Sequence, residues 1–531
     1  MTKYILVAIS LIVVSFSQAQ EDSLKNAQIF KFGEILDYVN QAYVDDIDNK
    51  QLGEAAIVAM LEKLDPHSSY ISKEDVRDAN ERINGSFVGI GIRFQILKDT
   101  LCVVATIPNG PSEKLGIQAG DKILKIEGES VAGIGLKNHQ VRERLLGEMG
   151  SKVSVDIKRG KKKQLLPFTI TRDRIPVHSV DSYYMINDRT GYIKLSSFSR
   201  TTASEIDESI RVLKEQGMKN LIFDLQNNGG GLLYAAKNVA DQFLSGNKMI
   251  VYSEGRKQPR SQLKAGQKGR WEDGRLVILT NENSASASEI VSGAVQDWDR
   301  GLIIGRRTFG KGLVQRPINL SDGSQLRLTI ARYYTPSGRF IQKPYDDLEA
   351  YRNDYMDRYL HGELSNQDSI KFADSLKHET RITKRTVYGG GGIMPDIFVP
   401  LDTTSLSDYY KSIIRGGYIN TFALTYIEKN RNELKKQYPS FAEFKKADVC
   451  STKLMKNFFD YVKKENPELK HNENEYKTSE QLLKTRIKAV LAQDLWGISE
   501  FYQIINTEND ALQVALQTIE SEAYLEKNLA P

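Results

Sequence analysis

Two side chains in one stretch of this sequence could do covalent chemistry together. Ser286 is the middle serine of Ser284-Ala285-Ser286-Ala287-Ser288-Glu289, and Lys311 stands between glycines in Thr308-Phe309-Gly310-Lys311-Gly312-Leu313-Val314-Gln315. A serine hydroxyl attacks a carbonyl efficiently only when a base takes its proton. No histidine lies between Asn281 and Gln315, so the candidate base is the lysine. Lysine ordinarily titrates near 10.4, but burial among apolar groups brings such an amine to about 7–8, where it accepts a proton near neutrality. Phe309 and Leu313 supply apolar neighbours, and Gly310 and Gly312 permit close backbone approach. Gln315, in phase on the strand that follows, could hydrogen-bond the amine and orient it.

An attacked carbonyl becomes an oxyanion, which backbone N–H groups stabilise, above all at a helix N-terminus. Ile290, Val291 and Ala294 predict a helix that begins at Ser286 and runs to about Trp298, which makes the Ala287 amide one candidate donor. A second comes from Asn227-Asn228-Gly229-Gly230-Gly231, at the end of the predicted strand Leu221–Leu225. Strand ends of an open α/β layer are where sites collect. Gly230 is the preferred donor, although spacing alone does not choose among Gly229–Gly231.

A helix cap and a phosphate loop could each claim some of these residues. Ser286-x-x-Glu289 fits a capping box, in which the serine hydroxyl accepts a hydrogen bond from the Glu289 amide. Gly305-Arg306-Arg307-Thr308-Phe309-Gly310-Lys311 fits the Gly-x-x-x-x-Gly-Lys of a phosphate loop. There Gly312 replaces the Ser or Thr that would hold magnesium, and Leu313–Leu320 reads as a strand rather than a phosphate-cradling helix. The phosphate reading fails on both counts.

The elements that must hold these residues alternate. Gly191–Phe198, Leu221–Leu225, Leu276–Thr280 and Leu302–Gly305 read as strands, with helices at Ser204–Glu215 and after Ser286. This is a βαβ-type layer. Val314–Leu320 and Gln325–Thr335, joined at Asp322-Gly323, read as an appended hairpin. A charged insertion at 345–384 carries no assigned chemistry, and a glycine loop, Gly389–Gly392, precedes a last strand at Ile397–Val399. Beyond 400 the chain is helical, either a separate domain or a dimer contact. Residues 20–84 are predicted as an N-terminal helical region, with helices between Leu24 and Leu64 and over Lys73–Ile83.

From 85 to 172 the pattern becomes short strands and glycine turns, with one helix at Lys137–Leu146. Pro111–Leu124, with Gly120-Asp121 at its centre, resembles the central signature of PDZ domains. Gly89-Ile90-Gly91-Ile92 would be the loop whose amides take a peptide's terminal carboxylate, while the following strand adds the peptide at its edge.

Composition sets the remaining bounds. At 531 residues and 40% hydrophobic, the chain can bury several cores, and its net charge of +5 demands no nucleic-acid partner. The basic run Lys158–Lys163 fits a solvated hairpin turn better than a nucleic-acid footprint. The six histidines lack zinc-binding spacing, so no metal site is expected. Cys102 and Cys450 read as two buried thiols. Residues 1–19 read as a signal peptide cleaved after Ala19, or as an uncleaved membrane anchor, which predicts an exported, periplasmic or cell-envelope protein.

Taken together, Leu64-Asp65-Pro66-His67-Ser68, Gly89-Ile90-Gly91, Gly120-Asp121, Asp224–Gly231, Ser284–Glu289, Thr308–Gln315, Thr335–Arg339 and Gly391–Asp396 resemble the carboxyl-terminal processing (tail-specific) proteases, Ser-Lys peptidases with a PDZ domain. The resemblance covers about residues 30 to 400. It implies a PDZ domain at 85–172 and a crotonase-like α/β protease core at 173–400, with helical regions at both ends. It further implies Ser286 as nucleophile, Lys311 as base and Gln315 in support, substrates taken by their free C-termini, no cofactor, and a homodimer through the terminal helices. Gln226 and Gly229 depart from the arginine and proline common in that family. The alternative from a different class is a non-catalytic PDZ adaptor that binds protein C-termini.

Overall fold

A computed structural model describes residues 24–160, 164–266, 268–527 and 529. The expected signal peptide lies outside them. The chain divides into two compact units, one ending at Tyr70 and one beginning at Ile71.

The first unit holds a helix over 24–42 and a second at Asn49–Glu62. Asp48 caps the second by accepting hydrogen bonds from the Lys50 and Gln51 amides. The turn that follows is organised by Asp65, whose Oδ1 accepts from the His67 and Ser68 amides at 2.8 Å each. Among the described residues no helix is long and apolar enough to cross a membrane.

The second unit begins with a helix at Lys73–Asn84 and then the segment expected to be a PDZ domain. Its strands pair in the order Ile92–Leu97, Thr100–Thr106, Lys122–Ile126, Lys152–Lys158, Leu166–Thr171, which leaves Ile92–Leu97 at an edge. The Asn138–Leu145 helix contributes Val141 and Leu145 to the core beneath that edge, where Ile92, Phe94 and Ile96 also pack. The strands flanking the basic run pair as a hairpin from Lys152–Thr171 to Ile157–Leu166. Arg159 of that run is bound to the carboxylate of Asp121 at 2.7 Å, so part of its charge serves the Gly-Asp turn.

The next core is a sheet ordered Val180–Met185, Thr190–Leu195, Asn220–Asp224, Arg275–Thr280, Leu302–Gly305, Ile397–Phe398. Only the first pairing is antiparallel. Val180–Met185 was not foreseen, nor was the Met249–Gly255/Gln258–Lys264 hairpin, which pairs with Gln325–Tyr334. The helices Thr202–Glu215, Leu233–Asp241 and Ala287–Asp297 bury apolar stripes against one sheet face.

The opposite face is covered by the chain's own last long helix, Asp510–Glu520. Ala511, Leu512, Ala515 and Ile519 fall on one side of it and meet Ile222, Val277, Leu279 and Ile304. The helices Tyr418–Gln437, Thr452–Glu465 and Glu473–Leu495 build a further core around Phe422, Phe444, Phe458 and Ile487. Their acidic residues meet basic groups of the PDZ domain, Asp494 with Arg93 and Glu428 with Lys122, each at 2.8 Å. The C-terminal region thus packs on both neighbours within one chain. Both cysteines are buried and free.

Candidate active site

Two loops at the carboxyl ends of adjacent parallel strands form the site. Asn220–Asp224 leads into the glycine loop, and Arg275–Thr280 leads into the serine loop. Polar side chains staple the two together. Asn227 and Asn281 exchange hydrogen bonds, with the Asn227 amide donating to Asn281 Oδ1 at 2.8 Å and Asn281 Nδ2 to Asn227 Oδ1 at 2.9 Å. Ser284 Oγ donates to the Leu225 carbonyl and Ser288 Oγ to the Asn228 carbonyl, both at 2.8 Å. Both of these serines are fully buried. Ser286 is half-buried, and its hydroxyl makes no such bond.

Ser286 stands at φ +56°, an uncommon conformation for a residue with a side chain. Such strain costs on the order of 1–3 kcal/mol and collects at functional sites. The capping box forms only in part. The Glu289 carboxylate accepts from the Ser286 amide at 2.7 Å, while the Glu289 amide donates to the Ser286 backbone carbonyl at 2.9 Å. Although the serine sits at the cap position, its hydroxyl makes no cap hydrogen bond. The cap therefore leaves the hydroxyl to the cavity.

That cavity, of about 460 Å³, is lined by Ser286, Ala287, Gly229, Gly231, Lys311 and Gln315 among others. Lys311 Nζ donates to Gln315 Oε1 at 2.9 Å. A bulge sets this geometry. Val314 lies opposite Ala331 but Gln315 lies opposite Thr329, so the ladder slips beside Gln315 and re-aims the strand there.

The oxyanion expectation needs one correction. The Gly230 amide donates to Asn228 Oδ1 at 2.9 Å, so it is already engaged. Gly230 is instead needed for space, since a Cβ there would lie 2.8 Å from Ser286 Cβ and 2.9 Å from the Ala287 nitrogen. The Ala287 and Gly231 amides find no acceptor among the described residues, and both residues line the cavity. Gly231, at φ +149°, is paired with Phe198 by a bridge through its neighbours' backbone groups, which leaves its own N–H unpaired. At Gly229 an added Cβ would meet nothing within 4 Å. Gln226, the other departure, accepts from Asn509 Nδ2 of the C-terminal region at 2.8 Å.

Three residues, Glu289, Thr308 and Tyr333, assigned no part in the chemistry from the sequence, tie the serine to the lysine. Glu289 is completely buried and accepts four hydrogen bonds. Ser286 N at 2.7 Å and Lys311 N at 2.9 Å reach Oε2, while Thr308 Oγ1 at 2.6 Å and Gly310 N at 2.7 Å reach Oε1. Burial pushes its pKa up to about 6, and the four donors hold it from rising further. Thr308 Oγ1 also accepts from the Ile393 amide at 2.6 Å, which brings the glycine loop near Gly392 into the same network. The buried Tyr333 hydroxyl donates to the Ser286 carbonyl at 3.1 Å and to the Lys311 carbonyl. In the sequence a cap role accounts for Glu289 and strand alternation for Tyr333, so neither calls for more.

In the PDZ domain, Ile90 is buried and its carbonyl accepts from the Ser112 amide at 3.1 Å and hydroxyl at 2.6 Å. Gly91 turns at φ +74°, with its carbonyl accepting from Ile107, and Ile92 opens the edge strand. These bonds fix the carbonyl side of the Gly89–Ile92 loop. Among the described residues the Ile90 and Gly91 amides have no acceptor.

Fold and site define a serine peptidase core of mixed α/β type carrying a PDZ domain. Known proteins agree. Residues 189–348 match peptidase family S41, 88–170 the PDZ domain, 11–75 the N-terminal domain of the activating protease CtpB, and 409–497 a family of unknown function. A carboxy-terminal-processing protease of Bartonella bacilliformis is 38% identical over 320 residues, covering 59% of this chain and 73% of the relative. A probable CtpA-like serine protease of Staphylococcus saprophyticus is 34% identical over 325 residues, covering 61% of this chain and 64% of the relative. A solved photosystem II D1 C-terminal processing protease aligns at 26% identity and TM-score 0.36 over 70% of this chain and 93% of its own. The chain belongs to the carboxy-terminal-processing proteases, S41 serine peptidases.

Proposed function

We propose that the protein is an exported serine endopeptidase that takes protein substrates by their C-terminal tails and cleaves them with Ser286 and Lys311. The observation that carries this reading is the division among three serines. Ser284 and Ser288 spend their hydroxyls on backbone carbonyls, while Ser286 presents its own to the cavity that Lys311 and Gln315 also line.

In the reaction, Ser286 Oγ attacks the scissile carbonyl carbon as its proton passes to neutral Lys311 Nζ. The carbonyl oxygen becomes an oxyanion facing the Ala287 amide at the helix N-terminus, with the Gly231 amide, which also lines the cavity, as the second donor. Collapse breaks the C–N bond, the lysine ammonium protonates the departing amine, and an ester on Ser286 remains. Water, deprotonated by the same amine, then hydrolyses that ester. Gln315 Oε1 keeps the amine oriented throughout. The Gly89–Ile92 loop and the Ile92–Leu97 edge would take the tail by carboxylate contact and strand addition.

Ser286→Ala tests the nucleophile directly. Loss of cleavage of an unfolded protein, with binding of its C-terminal peptide kept, is the expected result. Retained cleavage would favour the alternative, a PDZ adaptor built on a silent core, with the observed proteolysis belonging to something else. Removing the substrate's last few residues should suppress cleavage, and unchanged cleavage would sink tail recognition alone.

A further inference from the structure

We propose that the 345–384 insertion positions the loop that carries Lys311, with Arg358 as the residue that acts on it. The proposal rests on Lys311 being the base.

The insertion's helix, Leu348–Leu360, packs against that loop and carries a buried arginine, Arg358, in its last turn. The Arg358 side chain is 4% exposed. Burying a guanidinium costs several kcal/mol unless its charge is paired and its donors are used. Charge is supplied by Glu363, whose Oε1 accepts from Arg358 Nε at 2.7 Å. The fork's other two nitrogens go elsewhere: Nη2 donates to the Arg307 carbonyl at 2.8 Å and Nη1 to the Thr308 carbonyl at 3.2 Å. Both bonds therefore end on the backbone of residues 307 and 308, in the loop that leads to Lys311.

The same helix holds the next residue as well. Tyr351 meets the Phe309 ring edge-on at 6.1 Å, and the Lys343 ammonium lies 4.1 Å from both ring centres. Glu363 also receives Arg307 through two nitrogens, each at 2.7 Å. Residues 307–309 are therefore held from one side by the insertion. From the other side Glu289 holds Thr308, Gly310 and Lys311. Gly310, at φ +88°, belongs to the inner grip: its amide is on Glu289, and its carbonyl accepts from the Lys343 amide at 3.0 Å just before the insertion. Releasing the outer grip leaves the loop attached but free to settle differently. A displacement of about 1 Å at a catalytic group costs about 100-fold in rate.

The test compares full-length wild type with Arg358→Ala, Arg358→Lys and Lys311→Ala on an unfolded protein substrate, with thermal melting run alongside. Arg358→Ala should lose about 10- to 100-fold in kcat with KM within about twofold. Methylguanidinium, which fits the vacated fork, should restore part of that kcat and should do nothing for Lys311→Ala. Arg358→Lys, with its charge kept but only one carbonyl in reach, should fall between. Wild-type kcat in folded Arg358→Ala, or a kcat loss matched by a rise in KM and no rescue, overturns the proposal. If the alanine variant does not fold, Arg358→Lys carries the same kcat criterion. Full activity in Lys311→Ala sinks the base assignment itself. An inactive Lys311→Ala beside an unaffected Arg358→Ala sinks only the role of the insertion.

Discussion

Replacing Glu289 by glutamine separates the positioning of the site from the stability of the fold. The carboxylate accepts from two backbone donors on Oε2 and from one hydroxyl and one backbone amide on Oε1. A carboxamide can offer an oxygen to only one of these pairs, and its NH2 then faces two donors. Hydrogen bonds to a charged group contribute about 1.5–3 kcal/mol each, so two lost bonds amount to about 3–6 kcal/mol. Set against this is the cost of keeping a charge buried. A pKa of about 6 in place of an ordinary 4.5 is worth about 2 kcal/mol at neutral pH, which glutamine removes. The net destabilisation is thus about 1–4 kcal/mol, tolerable for a protein of this size. The effect on rate is larger, because either orientation breaks a link to the lysine loop: Oε2 holds Ser286 N and Lys311 N, and Oε1 holds Thr308 and Gly310. Steady-state kinetics on a peptide substrate, with thermal melting in parallel, should show kcat down about 100-fold and KM within about twofold. A folded Glu289→Gln enzyme with kcat within about threefold of wild type would refute the reasoning.

Titration of the same carboxyl gives a second expectation. As pH falls through about 6, Glu289 gains a proton and its O–H must face groups that already donate, so wild-type kcat should drop there. In Glu289→Gln that acid limb should be missing, as a pH–rate profile would show. The stability effect has the opposite sign from a salt-bridged carboxylate: the folded pKa lies above the unfolded one, so the ionised group disfavours folding above about 6, and that penalty fades toward 4.5. Melting temperatures of wild type measured against Glu289→Gln should therefore rise on acidification across this window. Gly231→Ala should abolish activity, because its Cβ would lie 2.1 Å from the Phe198 carbonyl oxygen at a φ that disfavours any side chain; activity assay beside circular dichroism checks it. Arg339→Met, which leaves the wholly buried Asp297 without its cation, should cost about 3–5 kcal/mol in a denaturant titration.

What could be read from the sequence followed from local rules. The serine helix and the glycine loops announce themselves because caps, strand ends and tight turns demand particular residue types within a few positions. The hairpin carrying Gln315 was foreseen by alternation, but its bulge was not, since nothing local marks the slip between Val314 and Gln315. Gly230 looked like a donor because it stands between glycines. Its amide is taken by Asn228 two residues back, a bond that depends on the turn's conformation. Glu289, Tyr333 and Arg358 each act on residues more than 15 positions away, and their importance lies in what they reach. The insertion looked featureless for the same reason, as its chemistry is a pair of backbone carbonyls fifty residues upstream. The C-terminal region likewise showed its amphipathic helices plainly but not the sheet face that Asp510–Glu520 covers.

The nucleophile is the central claim, and the acyl-enzyme tests it most directly. Wild-type protein quenched in acid during turnover of a defined peptide, then digested and mapped by mass spectrometry, should carry the substrate's acyl fragment as an ester on Ser286. Lys311→Ala should carry none or accumulate it far more slowly. An ester on Ser284 or Ser288, or rapid turnover with no ester on any serine of this loop, would contradict the account.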